Sequence, residues 1–329
     1  MAVIYRIIHA DEASAVVDIW RFNPNHDPVM IDRRWRDDPQ YLEHTHVAVA
    51  DNGEVLAAIS YFLRTARDAS GTPQRIGNLF FVATRPDAQQ QGHGRELLAR
   101  MTHAMQQDGC QWAMVSAGAP ARAFYEHAGW KLYDTPYRQG AVSTESLHTS
   151  TPYQIHAYDP MQAPGGWAPL MPIYTAYNAQ RPLTTVRDES YWEGWVALMF
   201  QFWKHPPQVL IATRENASMP CGYVFGHYYP VGFVISEIGV VPTEREAIAA
   251  LLNAVADEAL RRGSPARGRV YLPSEPAVDM VLARFFGATL HTGAEPDSML
   301  RPIATGMTRH QADTIVMAPG AIRWGIDQV

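Results

Sequence analysis

Apolar residues along the first half of the chain follow two different spacings, and each change of spacing marks a change of predicted element. Runs of apolar, β-branched and aromatic residues predict strands at 3–8, 46–50, 55–62, 76–84, 112–116 and 130–133. Apolar residues three and four positions apart predict helices at 13–20, 95–107 and 120–127. Glycines end the last two helices, Gly109 after the first of them and Gly129 after the second. The order of elements indicates an α/β (α+β) fold.

The second half of the chain repeats this order after a segment rich in Ser, Thr, Pro and Gly at 139–166. Strands are predicted at 153–158, 208–213, 222–229, 233–241, 270–272 and 299–302, and helices at 167–178, 191–203, 244–262 and 275–286. Such repetition indicates an internal duplication. We therefore predict a first domain at residues 1–150, a second at 151–303 and a short C-terminal tail at 304–329.

The stretch between the strand at 76–84 and the helix at 95–107 is the most informative about chemistry. It contains Gln89-Gln90-Gln91-Gly92-His93-Gly94-Arg95. Glycine lets the backbone turn sharply and approach a ligand closely, and the free N–H groups of the next helix attract anions such as phosphate. A Gly-x-Gly at a helix start is also common in purely structural turns. Neither a dinucleotide fingerprint nor an ATPase phosphate loop is present, because their further glycine and lysine are missing.

Two motifs together make the chain resemble the GNAT superfamily of acyl-CoA-dependent N-acyltransferases. The loop of that family reads Gln/Arg-x-x-Gly-x-Gly/Ala, and residues 89–94 match it throughout. The family's second motif, Phe-Tyr-x-x-x-Gly-aromatic, is present as Phe124-Tyr125-Glu126-His127-Ala128-Gly129-Trp130. The resemblance covers residues 1–140 and, less closely, the second half. It implies two tandem GNAT folds, each a mixed, mostly antiparallel twisted sheet flanked by helices.

The resemblance also implies roles for single residues in binding acetyl-CoA as cosubstrate. Backbone groups of Val82 and Thr84 would pair with the pantetheine arm as with an added strand. The expected cofactor-binding residues are Val82, Thr84, Gln89, Gln91, Gly92, His93, Gly94 and Arg95. Tyr125 would protonate the leaving thiolate as general acid, and its alternative role is that of a core residue beside Phe124. No metal is expected.

The general base is the feature in which the sequence departs most from the family. Many members carry a glutamate in the strand before the loop, but residues 78–84 contain no carboxylate. A water held by backbone carbonyls, a histidine of the pair His44 and His46, or a group from the second half remain as candidates. A metal site at the two histidines is disfavoured because no third ligand is evident. Gly118 also replaces an asparagine that the family often has.

The second half lacks both motifs. The position of its loop reads Val241-Pro242-Thr243-Glu244-Arg245-Glu246-Ala247, in which two carboxylates stand where phosphate would bind. Phe285-Phe286-Gly287 takes the place of the tyrosine motif. We therefore predict an active first lobe and a degenerate second lobe.

The amino-acid composition of the chain narrows the classes of molecule that it can be expected to bind. With 27 Lys+Arg and 33 Asp+Glu the net charge is −6, which disfavours nucleic-acid binding. No signal peptide or membrane span is predicted, and two distant cysteines, Cys110 and Cys221, suit a reducing compartment, so we expect a cytoplasmic protein. The oligomeric state is left open between monomer and homodimer.

The acceptor is expected to be a small-molecule amine. Aromatic and acidic residues of segment 20–35 and beyond, among them Trp20, Trp35, Asp27, Asp32 and Asp37, favour a cationic group, although a solvated loop over buried tryptophans explains the same pattern. We thus predict a small-molecule N-acetyltransferase. The alternatives are a non-catalytic acyl-CoA sensor or scaffold and a protein N-acetyltransferase.

Overall fold

A computed structural model describes residues 2–21, 28–147, 151–203 and 205–327, and only the backbone of residues 28, 146, 147 and 297. Twelve strands form one continuous open sheet in the order β1-β2-β3-β4-β5-β12-β6-β11-β10-β9-β8-β7. Their bounds are β1 Val3–Ile7, β2 Thr45–Ala50, β3 Val55–Arg67, β4 Pro73–Thr84, β5 Trp112–Ser116, β6 Lys131–Ala141, β7 Tyr153–Tyr158, β8 Gln208–Arg214, β9 Pro220–Tyr229, β10 Gly232–Val240, β11 Arg267–Val270 and β12 His291–Pro302.

Helices flank this sheet, so the predicted fold class is confirmed. Their bounds are α1 Ala13–Trp20, α2 Pro28–Arg36, α3 His93–Gln107, α4 Arg122–His127, α5 Thr144–Leu147, α6 Met171–Tyr177, α7 Glu189–Tyr191, α8 Ala197–Phe202, α9 Ala247–Arg261, α10 Pro276–Phe286 and α11 Arg309–Met317. A π-helical turn, Trp192–Val196, joins α7 to α8. All strand pairs are antiparallel except β4 with β5 and β10 with β11.

The two halves of the chain exchange their last strands. β12, from the second half, lies between β5 and β6 of the first half, and β6 in turn lies between β12 and β11. Each half therefore has the same order: four neighbouring strands, a fifth parallel to the fourth, then one strand from the other half. Because of this exchange the two halves share one sheet, as two copies of one plan related by duplication can do.

Several elements differ from the sequence predictions. β6 and β12 were predicted as short strands at 130–133 and 299–302, and they are longer because each pairs along most of the other. No helix or strand was predicted between residues 20 and 46, yet α2 begins at Pro28, and α11 lies in the predicted tail. Residue 150, where we predicted the first domain to end, lies outside the described residues. The domain division stays a prediction.

Helices pack on both faces of the first half. On one face Trp20 of α1 and Trp35 of α2 are fully buried against Phe62 and Phe80 of the sheet. On the other face α3 buries its predicted apolar stripe, Leu97, Leu98, Met101 and Met105. Burying such side chains stabilises the fold by about 1.5–3 kcal/mol each, so all three helices are fixed on the sheet.

A buried ionic network ties the C-terminal segment into the second half. Arg187 donates to both carboxylate oxygens of Glu237 at 2.9 and 2.8 Å and to both of Asp327 at 3.0 Å. Tyr223 donates to Glu237 at 2.6 Å, and Tyr191 donates to Asp327 at 3.0 Å. The guanidinium group thus compensates two carboxylates that water does not reach.

We predict that Arg187→Met lowers the free energy of unfolding by about 3–5 kcal/mol, because two carboxylates lose their buried counter-charge. Urea unfolding followed by circular dichroism measures this loss. Arg36→Met is the control: the Arg36–Asp32 ion pair is exposed, so its loss should cost less than about 1 kcal/mol. Equal losses in the two variants would contradict the role given to the network.

Candidate functional site

A wedge opens in the sheet where β4 leaves β5. The two strands pair only over Ile76–Asn78 and Trp112–Met114. Beyond these positions, as far as Thr84, β4 pairs only with β3 among the described strands. β5 pairs with β12 on its other edge. The edge of β4 that faces β5 is therefore left without a strand partner, and an extended ligand can pair with it.

A β-bulge bends β4 beside this wedge. The register of β3 and β4 shifts between Ile59 and Ser60, which places Phe81 in the bulge. The φ angle of Phe81 is 38°, which is uncommon for a bulky residue. Bulges re-aim a strand and often stand next to active sites.

The loop after β4 presents unpaired backbone donors. Gln90 and Gly92 adopt left-handed φ angles of 62° and 87°, and Gly92 is the N-cap of α3. No N–H group of residues 89–95 donates to another group in the described part of the chain. These donors lie at the N-terminus of a helix of 15 residues, whose dipole favours negative charge. The loop is therefore a suitable cradle for phosphate groups.

Gly94 lies where the loop, β4 and α4 meet. A Cβ atom on Gly94 would lie 3.4 Å from the Phe124 ring and 3.6 Å from Thr84 Oγ1. The contacts are ordinary for one methyl group, but a branched side chain does not fit between them. A small residue at position 94 therefore lets the loop lie close to Phe124 and Thr84.

The other residues predicted to bind the cofactor lie along the same loop and strand. The side chains of Gln89 and Gln91 donate to the carbonyl groups of Thr84 and Asp87 at 3.3 and 3.2 Å and so brace the loop. His93 is buried, with Nδ1 2.8 Å from the hydroxyl of Tyr5. Arg95 is exposed, and Val82 is half-buried on β4.

Tyr125 stands on α4, buried in the cluster formed by α3 and the sheet. Its ring packs against Phe124 at 5.0 Å and Trp130 at 5.7 Å between centroids. Burial raises the pKa of its hydroxyl above the usual value of 10, so the group stays protonated at neutral pH. No described residue hydrogen-bonds this hydroxyl, which leaves it available to a ligand.

His44 lies at the far end of α3 from the loop. His44 Nε2 is 3.7 Å from Asp108 Oδ2, and Asp108 is the C-cap of α3, about 24 Å along the helix from Gly92. His46 stands on β2, in register with Ile59 of β3 and, through it, with Val82 of β4. Burial lowers the pKa of His46 to about 4, so its imidazole is a weak base.

The corresponding wedge of the second half differs in its contents. Glu237 stands five residues before Pro242, as Phe81 stands five residues before Pro86, so the glutamate absent from β4 is present in β10. It is completely buried and held by Arg187. The spacing from Pro242 was a signal in the sequence, and in the structure Glu237 lies next to a bulge of β10.

The loop of the second half is closed by its own side chains. Glu244 accepts hydrogen bonds from Tyr153 at 2.8 Å and Arg214 at 2.9 Å, and its N–H donates to Val241. Nearby, Arg181 pairs with Glu275, and Gly320 of the C-terminal segment packs against that carboxylate. A cleft of about 250 Å³ remains there.

The acidic residues predicted to hold an amine do not form one group. Asp27 lies outside the described residues, and Asp32 pairs with Arg36 on the exposed side of α2. Trp20 and Trp35 are core residues with no exposed surface. Only Asp37 lines a cavity, one of about 550 Å³ between α2, β3 and the segment before α8.

The described residues contain neither a candidate metal site nor a candidate membrane-spanning helix. No cluster of three or more His, Cys, Asp or Glu side chains is placed to bind a metal ion. No helix in the same ranges is long and apolar enough to cross a membrane.

Residues 10–130 match the model of the acetyltransferase (GNAT) family. This range contains the wedge, the loop and Tyr125, and it ends at Trp130. No curated protein sequence matches the chain significantly.

Solved structures similar to the whole chain are N-acetyltransferases or their probable relatives. One is a probable N-acyltransferase of unknown function from Enterococcus faecalis V583, with a TM-score of 0.72 and 13% identity, covering 92% of this chain and 73% of its own. A GCN5-related N-acetyltransferase from Kribbella flavida gives 0.68 and 14%, covering 97% and 74%. Eis1 from Mycobacterium abscessus gives 0.65 and 15%, covering 92% and 74%. At sequence identities this low, the similarity shows a shared fold and does not extend to function.

We predict that His46 makes the protein acid-sensitive. Its pKa is lower in the folded chain, about 4, than in the unfolded chain, about 6.5, so the unfolded state binds the proton more tightly and stability falls as the pH drops from 6.5 towards 4. Between pH 7 and pH 4.5 this costs about 2 kcal/mol. His46→Gln should lose that much less free energy of unfolding over the same range.

The control is His103→Gln, at an exposed position on α3. Urea unfolding at the two pH values measures both variants. If His46→Gln retains the full acid sensitivity of the parent chain, the lowered pKa of His46 is wrong.

Proposed function

We propose that the chain is a GNAT acetyltransferase through residues 10–130, which match the model of that family, and that it transfers an acetyl group from acetyl-CoA to a primary amine of a small molecule. The observation that carries this proposal is the set of unpaired N–H groups at residues 89–95 beside an unpaired strand edge. A diphosphate fits the first feature, and an extended amide-containing arm fits the second.

Acetyl-CoA is proposed to bind with its pyrophosphate on the loop at residues 89–95. Its pantetheine arm follows β4, where Val82 and Thr84 supply backbone groups towards the wedge. Gln89 already donates to the Thr84 carbonyl in the free chain, so its exposed side chain must move when the arm pairs there. Arg95, exposed at the start of α3, adds a positive charge near the phosphates.

The proposed reaction is a direct attack. The nitrogen lone pair of the neutral amine forms a bond to the thioester carbonyl carbon, and the carbon–sulfur bond then breaks. The sulfur takes the proton of the Tyr125 hydroxyl, which its raised pKa keeps protonated at neutral pH. The nitrogen loses a proton to water, since β4 offers Phe80 and Phe81 where a carboxylate base would stand.

The second half is proposed to bind no acetyl-CoA. The carboxylate of Glu244 takes up the place of an anion at its loop, and Phe285 and Phe286 offer no hydroxyl. With the division at residues 1–150, 151–303 and 304–329, the first domain is proposed to be catalytic, and the second supplies β12 and one wall of the acceptor cavity.

The absence of a carboxylate on β4 keeps a second candidate open, a non-catalytic sensor of acyl-CoA. The two functions differ in one measurement. An enzyme releases free thiol from acetyl-CoA when an amine of a test panel is added, whereas a sensor binds acetyl-CoA and releases none.

We predict that Gly94→Val weakens acetyl-CoA binding by about 10- to 100-fold, because the branched side chain displaces the loop from Thr84 and Phe124 and so misaligns charge-assisted hydrogen bonds. Isothermal calorimetry measures the dissociation constant. Gly109→Val is the control: residue 109 has φ +76° and open space around it, so that variant loses stability but keeps its affinity. Unchanged affinity in Gly94→Val would refute the cradle.

We predict that Tyr125→Phe lowers kcat by about 100-fold and leaves the acetyl-CoA dissociation constant nearly unchanged, because only the proton donor is lost. Because burial raises the pKa of Tyr125, the parent enzyme should show no alkaline loss of kcat from this group below about pH 10. Steady-state thiol release checks both statements, with Tyr158→Phe in the second half as control. If Tyr125→Phe turns over as fast as the parent, Tyr125 is not the acid.

A further inference from the structure

The cavity of about 550 Å³ lies between the two halves of the chain. It is lined by α2 and the turn after it, by the end of β3 and by the segment that leads to α8. Two arginines, Arg34 from α2 and Arg64 from β3, line it together with Tyr191 and Trp195 from the second half. In this cavity, cationic side chains of the first half meet aromatic side chains of the second half.

Among the described residues, the buried Arg34 has no counter-ion. Only 5% of its surface is exposed, and its Nε and Nη2 atoms are buried with no hydrogen-bond partner. Of the other buried arginines of the described residues, Arg138, Arg181 and Arg187 each pair with a carboxylate, and Arg323 donates to the Asn78 side chain and the Asp327 carbonyl. A buried charge without a partner is costly, so Arg34 lacks the acceptors that the fold supplies to the others.

Aromatic rings cover the guanidinium faces and leave the donor edges free. The Arg34 guanidinium lies 4.6 Å from the ring centre of Trp195 and 5.4 Å from that of Phe80. Arg64 lies 5.0 Å from Trp195 and 5.2 Å from Tyr191. Its Nη1 atom donates to the Leu63 carbonyl at 3.0 Å, whereas its Nε atom is buried without a partner. Stacking satisfies the faces of a guanidinium group, whereas its in-plane N–H groups match a planar carboxylate.

The two arginines also repel each other. Burial, together with the charge of Arg64, lowers the pKa of Arg34 to about 10. Asp37 and Asp188 line the same cavity but form no ion pair with either arginine, and Asp188 is engaged by the Tyr191 N–H and the Ser190 hydroxyl. An anion between the arginines would relieve the repulsion and supply the missing acceptors.

Packed rings connect the cavity to the bulge beside the proposed site of acyl transfer. Phe80, which stacks on Arg34, directly precedes the bulge residue Phe81, and Trp20 contacts both rings. Under the proposed function, we expect an acceptor anchored at the arginines to lie on the side of these rings that faces the wedge.

We infer that Arg34 and Arg64 form an anion subsite, and that the acceptor of the proposed reaction is an amine that also carries a carboxylate. This inference rests on the proposed function for the amine and on the cavity alone for the anion. It replaces the expectation of a purely cationic acceptor held by aspartates.

The first experiment measures anion binding without catalysis. Calorimetry compares benzoate, its neutral isostere benzamide and phenyl phosphate on the parent chain, Arg34→Gln, Arg64→Gln and the exposed control Arg36→Gln. We expect benzoate to bind the parent and Arg36→Gln, and to bind the other two variants about 10- to 100-fold more weakly. Equal binding of benzamide and benzoate overturns the subsite, and a clear preference for phenyl phosphate overturns the carboxylate.

The second experiment measures transfer. Thiol release from acetyl-CoA is followed with α-amino acids and with their carboxamides as acceptors. We expect the carboxylates to be preferred, and Arg34→Gln to raise KM for them about 10- to 100-fold with kcat nearly unchanged. Carboxamides that react as well as carboxylates refute the acceptor class. If no amine reacts while benzoate still requires Arg34, the proposed function fails and the anion subsite stands.

A purely structural role for Arg34 is tested by stability. Arg34→Met keeps the stacking volume and removes an uncompensated charge, so we expect its unfolding temperature to be equal to or above that of the parent, and benzoate to raise the unfolding temperature of the parent only. A large fall in Arg34→Met, together with no effect of benzoate on the parent, overturns the inference.

Discussion

The separation of β4 from β5 is the constraint on which the rest of the site depends. The two parallel strands pair over three positions and then part. The edge of β4 beside the wedge, the bulge at Phe81 and the loop that begins α3 lie together at this departure. On the far side of the wedge β5 pairs along its whole length with β12, a strand from the other half of the chain, so the exchange of β6 and β12 also supports one wall of the wedge.

The same plan occurs twice, and the two wedges have opposite contents. In the first half the loop keeps its N–H groups unpaired, and burial keeps a tyrosine hydroxyl protonated beside it. In the second half Glu244 binds its own tyrosine and arginine, and Glu237 is locked by Arg187 together with the C-terminal Asp327. Under the proposed function, one copy thus keeps its polar groups available for a ligand, and the other uses them for stability.

Local chemistry made part of this structure predictable from sequence. The glycines at 92 and 94 and the apolar stripe of α3 fixed the loop and its helix, since both depend on neighbouring residues. The exchange of β6 and β12 could not be predicted, because these strands carry prolines and glycines, Pro136, Gly140, Gly293 and Pro296, and are held by partners more than a hundred residues away. The burial of Arg34 in a cavity could not be predicted for a related reason. The burial of its charge depends on rings from both halves, which the sequence does not show to be neighbours. The helical pattern of α2 was also hard to recognise, because charged residues separate Pro28, Ile31 and Trp35, although these three fit a helix.

The central claim is that the wedge of the first half, and not that of the second, binds acetyl-CoA. A crystal structure of the chain with acetyl-CoA tests it most directly. We predict one ligand per chain, with its pyrophosphate on the N–H groups of residues 89–95, its arm along β4 and its sulfur next to the Tyr125 hydroxyl. A ligand at Pro242–Glu244 in the second half, or one whose phosphates avoid the loop at residues 89–95, would contradict the claim.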